Sequence, residues 1–537
     1  MMRTFGLALA LLVALPSAVY ASNPLIIKTD KGKVRGSFTT DRQVRAFNGI
    51  PYATPPIGDL RWQPPRPAAK WKGVRDATKF GSRCMQAQVY SDMTFRDPGP
   101  SEDCLTLNVW TPAKAKKAAL PVMVWIYGGG FMAGGTSEPR QDGQFLAHRN
   151  VVIVSMNYRL GIFGFFVHPQ LTAESPHHAS GDYGLMDQNA ALAWVQKNIA
   201  HFGGDPHNIT IFGESAGSQS VSVLMASPLA QNRFQKAIGE SGAEFPTTKP
   251  AMLPRALREQ TDMKFAQAAF GTTNLPDLRK IPAEELLQET IAKTAGTHIR
   301  FRPDVDGWFL PESMSAIYAA GKQAHIPLLA GTNADEAREA VIFARPPVTA
   351  ESFRLQAHAQ FGPDAPDFLK LYPANTNAEA VHSAGDFAGD LFIAYATWHW
   401  IEAQVETGGA PVYRYRFDLG SPGDKYHPAA IGAFHSDDIE YVFGTLDSRP
   451  KAKWRPEDRK LSDEMGQYWT NFARTGDPNG GALSANPDLP KWPIYNAAGG
   501  WQVMHLNAVS EAKSDTERAR YLFLDKEWCK PKTETVQ

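Results

Sequence analysis

The chain reads as an α/β protein with a mostly parallel central sheet flanked by helices, and three observations carry that reading. Pro121 to Tyr127 (PVMVWIY), Val151 to Ser155 and Ile209 to Phe212 are short runs with the continuous apolar or β-branched character of strands buried on both faces. Between the second and third runs, Leu185 to His201 sets Leu185, Ala191, Leu192, Trp194, Val195 and Ile199 along one helical face. Strand and helix then alternate, the pattern of a parallel sheet with right-handed crossovers.

Composition supports one large core. Of 537 residues, 43% are hydrophobic and 20% charged. Lys+Arg and Asp+Glu balance at 55 each, so no basic face for nucleic acid is expected. Residues 1–21 read as an export segment: Arg3 supplies a positive start, Phe5 to Leu15 an apolar run, and Val19-Tyr20-Ala21 a cleavage site before Ser22. The run is too short to span a bilayer. No later stretch reaches spanning length without charges or prolines, so the mature form is expected without a membrane anchor, in the periplasm or secreted. Export makes a disulfide between Cys84 and Cys104 the expectation and leaves Cys529 as a free structural thiol.

In chain order, Phe47 to Tyr52 and the prolines that follow (Pro55, Pro56, Pro64, Pro65) predict turns and edge strands. Glu102 to Trp110 alternates like a half-buried strand. PVMVWIY runs straight into Gly128-Gly129-Gly130-Phe131, where successive glycines leave backbone amides unshielded, as an oxyanion hole requires. A flexible turn is the plain alternative. A phosphate loop is discounted because its Gly-Lys-Ser/Thr ending is missing.

Phe202 to Gly217 reads FGGDPHNITIFGESAG: a short strand, then Gly213-Glu214-Ser215-Ala216-Gly217, then a helix carrying Val221, Val223, Leu224 and Met225 to about Pro228. A serine on such a strand-to-helix turn is exposed, and the flanking glycines let strand and helix approach. Residues 246 to 320 read as helices and loops over the sheet's carboxyl edge, where a substrate enters. Ile326 to Ala330 is a further strand, followed by Gly331 to Glu336. A second helical block extends to about 405, with Trp398-His399-Trp400 read as core packing. Val412 to Phe417 is strand-like, Leu461 to Arg474 an amphipathic helix, and Trp501 to His505 a last edge strand before a C-terminal helix.

A serine needs a base to take its proton, and the base needs an acid to fix its tautomer. On such a fold the partners follow the serine in the order acid, then histidine, each on a loop after a strand. Among 14 histidines, His435 in GAFHSDD fits, and Asp335 and Glu336 in GTNADEA offer adjacent acids.

These segments, with EDCLTLNVW, YGGGF, FNGIPYATPP and WTNFARTGDPN, resemble the type-B carboxylesterase/cholinesterase family over essentially the whole mature chain. The resemblance implies a single α/β-hydrolase domain over 22–537, with helical insertions over the active site. It also implies hydrolysis of small-molecule carboxylic esters without cofactor or metal. Carried over, it makes Ser215 the nucleophile, His435 the base, and Glu336 rather than Asp335 the acid. Gly129, Gly130 and Ala216 become the oxyanion amides, Glu214 and Ser241 supporting residues, and Cys84–Cys104 the family's first disulfide. Cholinesterases place a tryptophan between those cysteines to stack on quaternary ammonium. Here the span offers Tyr90 and Phe95 instead, so a choline ester is not expected. Some relatives are non-catalytic adhesion modules that have lost triad members, whereas this chain keeps all three.

Overall fold

The computed structural model describes residues 24–112, 118–247, 252–297, 299–481 and 488–528; the export segment and Cys529 lie outside the described residues. An eleven-stranded sheet organises them. Its strands are β1 (Ser37–Phe38), β2 (Arg45–Pro51), β3 (Thr106–Thr111), β4 (Leu120–Ile126), β5 (Val152–Met156) and β6 (Gly204–Glu214). Then come β7 (Lys236–Glu240), β8 (Leu328–Asn333), β9 (Val412–Phe417), β10 (Gln502–Leu506) and β11 (Glu511–Ser514). Across the sheet the order is β11-β10-β9-β8-β7-β6-β4-β5-β3-β2-β1. From β5 to β10 every neighbour is parallel, and the pairs beyond both ends are antiparallel.

Strand order reverses at β4, because the chain leaves it for β5 on one side and returns as β6 on the other. A crevice opens at the carboxyl ends of strands around such a reversal. The glycine loop after β4 and Ser215 after β6 therefore face each other across it. Helices α1 (Tyr183–Asn198), α2 (Ala216–Ala226), α3 (Ile439–Phe443) and α4 (Pro456–Thr475) pack around the sheet, and Trp469 of α4 donates to Glu240 Oε1 at 2.7 Å. A second apolar cluster gathers Phe353, Phe361, Phe368 and Phe387 of the helical block with Phe523 and Leu524 of the C-terminal helix. Trp398 lies in that cluster and Trp400 in the main one, so the Trp-His-Trp stretch is core packing, split between two cores.

Two local expectations are corrected. β3 is buried at all six positions rather than alternately. Its polar residues stay inside because they find partners: Asn108 Nδ2 donates to Ser155 Oγ (3.1 Å) and Thr111 Oγ1 to Phe202 O (2.8 Å). Phe47 to Ile50 lies within β2 and pairs with β3 on one side, while β1 covers the other side of β2 only at Arg45 and Ala46. Trp501 to His505 is not the last strand. β10 pairs with β9 and with β11, whose Glu-Ala-Lys-Ser sequence has little strand propensity and is held by backbone pairing.

Candidate active site

Ser215 occupies the single residue between β6 and α2, with φ 56° and ψ −122°, a region that side-chain-bearing residues rarely adopt. Close packing holds it there. A Cβ on Gly217 would stand 1.9 Å from the carbonyl oxygen of Ile126 in β4, and one on Gly213 would meet Gly217 C at 2.6 Å. Only glycine at both positions lets strand and helix approach so closely. The Ser215 amide donates to Glu240 O at 2.9 Å, which ties the turn to β7.

The loop after β4 abuts this turn, and a Cβ on Gly128 would meet Ser215 Cβ at 2.9 Å. Gly129 and Gly130 have φ of 111° and 63°, so the loop curls back on itself. No acceptor among the described residues takes the backbone amides of Gly129, Gly130 or Ala216. Those donors remain for a ligand oxygen, with the N-terminal end of α2 beside them.

His435 comes from the loop between β9 and α3, and its Nε2 lies 2.9 Å from Ser215 Oγ. Its Nδ1 lies 2.6 Å from Glu336 Oε2. A carboxylate facing Nδ1 keeps the proton there and leaves Nε2 to accept from the serine hydroxyl. Glu336, just past β8, takes the Asn333 amide on its other oxygen at 2.8 Å. Asp335 serves the histidine differently. It accepts the Ala433 amide (2.9 Å), is paired with Arg338 (2.9 Å), and so anchors the loop that carries His435 without touching the ring.

Glu214 Oε1 is 3.2 Å from His435 Nε2, within ion-pair range but without hydrogen-bond geometry. Burial pushes the Glu214 carboxyl up to about 8 against the pull of His435. Burial works to lower the imidazole, yet the charges of Glu214 and Glu336 and the Glu336 hydrogen bond outweigh it and lift His435 to about 9. Since Glu214 is itself protonated up to about 8, Glu336 supplies the lift at neutral pH and Glu214 adds to it as the solution turns alkaline. Ser241 sits beside this turn: a Cβ on the next residue, Gly242, would meet Ser215 O at 2.4 Å. Its hydroxyl is buried and bonds to none of the three.

Ser215 and His435 open into a cavity of about 370 Å³. The expected blocks contribute Arg302, Phe392 and Ile393 to its wall. The loop between the cysteines adds Tyr90, Asp92 and Met93, and the disulfide Cys84–Cys104 closes that loop. Phe95 turns away and packs under the Arg83 guanidinium, 4.5 Å from ring centre. Phe392, on a turn of π-helix over Asp390–Ala394, meets the His435 ring edge-on at 4.9 Å. Sequence reasoning missed Phe392, Arg302 and Met93, which sit in segments without a motif. Among the described residues, no group of His, Cys, Asp or Glu is arranged to hold a metal ion.

A mostly parallel sheet with a hydrogen-bonded Ser–His–Glu array at its carboxyl edge is the architecture of an α/β-hydrolase. Residues 23–524 match the Carboxylesterase family, and the chain belongs to that family. It is 38% identical to the para-nitrobenzyl esterase of Bacillus subtilis over 88% of this chain and 92% of that protein. It is 36% identical to the fumonisin B1 esterase of Sphingopyxis macrogoltabida, over 90% and 87%. Against liver carboxylesterase 1 of Oryctolagus cuniculus the figure is 34%, over 98% and 97%. The protein is a carboxylic ester hydrolase.

Proposed function

We propose that residues 22–537 form one catalytic domain of an exported serine carboxylesterase that cleaves small-molecule esters through an acyl-serine intermediate. The unbroken line Ser215 Oγ–His435 Nε2, His435 Nδ1–Glu336 Oε2 is the observation that carries this reading. Ser215 Oγ attacks the ester carbonyl carbon as its proton passes to His435 Nε2. The carbonyl oxygen takes the negative charge and accepts from the amides of Gly129, Gly130 and Ala216. Collapse breaks the bond to the alcohol, which leaves with the proton from His435. Water then gives a proton to His435 and attacks the acyl-serine, and the second collapse returns that proton to Ser215 as the acid departs.

Export is supported by the pattern of residues 1–21 and by the disulfide, and no helix among the described residues is long and apolar enough to cross a membrane. A binding-only adhesion role is disfavoured by the complete Ser–His–Glu array, and a choline substrate by the absence of a tryptophan between Cys84 and Cys104. Ser215→Ala is expected to abolish hydrolysis of a p-nitrophenyl ester while leaving thermal unfolding close to that of the parent. Retained turnover in that variant refutes the assignment.

A further inference from the structure

We propose that Arg302 makes the acyl side of this cavity a carboxylate-binding subsite, so that preferred substrates are esters of dicarboxylic or polycarboxylic acids retaining a free carboxylate. The proposal rests on the serine-esterase reading and deepens it. The leaving alcohol must lie under His435 Nε2, which protonates it, and that side is walled by Phe392. The acyl chain therefore extends away from the histidine, along the oxyanion loop and the start of α2. Arg302 borders that side. Its Nη2 donates to Gln219 Oε1 (3.1 Å), one turn beyond Ser215, and its guanidinium lies over the Phe131 ring at 5.8 Å, next to Gly130.

The side chain is built to stay put. Glu244, 2% exposed, takes Nη2 at 2.9 Å, and Arg258 Nη1 donates to the Arg302 carbonyl at 2.7 Å. Yet Nη1 donates to no acceptor among the described residues, Nε is buried without a partner, and the side chain is 37% exposed in a residue that lines the cavity. A guanidinium held on one nitrogen and open on another suits a planar anion. Tyr90 Oη, 3.3 Å from where a Gly130 Cβ would stand, offers a second donor nearby.

Of the five acids that line the cavity, Glu339 alone makes no side-chain ion pair or hydrogen bond among the described residues and is not buried; the other four are occupied or protonated. Glu336 is bonded to His435, Asp335 to Arg338, and Asp92 lies 3.5 Å from Arg140. Burial keeps Glu214 largely protonated up to about 8. The other arginine of the wall, Arg140, is held by Glu138 at 2.9 Å.

The test compares kcat/KM for the mono-p-nitrophenyl ester of glutaric acid with that for p-nitrophenyl valerate, which has the same acyl length and no charge. The enzyme is expected to favour the glutarate about tenfold or more, the scale of one well-placed charged hydrogen bond. Arg302→Gln is expected to lower that ratio at least about tenfold, a change that general loss of structure, lowering both rates alike, does not produce. Because Arg302→Gln leaves Glu244 buried and unpaired, the Glu244→Gln/Arg302→Gln pair repeats the measurement with the hydrogen bond kept and both charges gone. A smaller preference in the parent enzyme, or a preference that survives either variant, overturns the proposal. Turnover of neither ester overturns the esterase reading itself, whereas valerate turnover without glutarate preference overturns the Arg302 subsite alone.

Discussion

Replacing Glu214 by Gln is expected to move the acid limb of the pH profile downward. In the proposed mechanism His435 takes the serine proton only when its Nε2 is free, so kcat/KM is expected to rise as pH climbs through the imidazole pKa. Its lift from 6.5 to about 9 amounts to about 3 kcal/mol in favour of the imidazolium. Burial opposes that lift, and the Glu214 carboxylate, 3.2 Å from Nε2, is its largest source, ahead of Glu336. Gln keeps the size and removes the charge. Less favours the imidazolium, and the limb falls by about one pH unit or more. The assay is kcat/KM for a p-nitrophenyl ester from about pH 5 to 10, which reports ionisations of the free enzyme. A stability control has its own sign. The folded Glu214 carboxyl at about 8 stands above its ordinary 4.5, so the unfolded chain releases that proton first and stability falls as pH rises through this window. Gln lacks the penalty, and the variant should resist thermal unfolding at pH 8 at least as well as the parent. An unmoved limb, or one displaced upward, refutes the assigned role of Glu214.

Two further perturbations test what holds the site. The Cys84–Cys104 bridge spans a sequence separation of 20, and its removal in a Cys84→Ala/Cys104→Ala variant is expected to cost about 3 kcal/mol in urea unfolding. Because the loop carries Tyr90 and Met93 to the cavity, KM should rise as well; an unchanged KM refutes that role for the loop. Gly217→Ala drives a Cβ to 1.9 Å from the Ile126 carbonyl oxygen, a backbone atom of the sheet's centre. The variant should yield little folded enzyme, and wild-type activity at wild-type yield contradicts the packing argument.

The arrangement of the proposed site was legible in sequence because it depends on local patterns. Ser215 announces itself through the glycines on either side of it, a local signature of a turn packed tightly on itself and on β4. The glycine loop lies directly after an apolar strand, and His435 and Glu336 follow in the order the fold imposes. Choosing Glu336 over Asp335 took the family resemblance, since two neighbouring acids on one loop are alike in pattern and differ only in which reaches the imidazole. The cavity wall was legible only as segments of chain, not as residues. Arg302 gains its meaning from Glu244 and Gln219, which lie 58 and 83 positions earlier in the chain, and Phe392 is aimed by a π-helical turn that leaves no compositional trace. β3 misled for a related reason. Its polar residues alternate as though facing water, but Ser155 and Phe202 supply the partners that bury them. β11 escaped because four mostly charged or small residues on an edge owe their pairing to the neighbouring strand.

The most direct test of the account is where a covalent adduct forms. The enzyme, treated with a fluorophosphonate ester and digested, should carry one phosphonyl group, on the peptide containing Ser215, and Ser215→Ala should carry none. A modified Ser218 or Ser241 in place of Ser215, or an unmodified enzyme that still hydrolyses esters, contradicts the account.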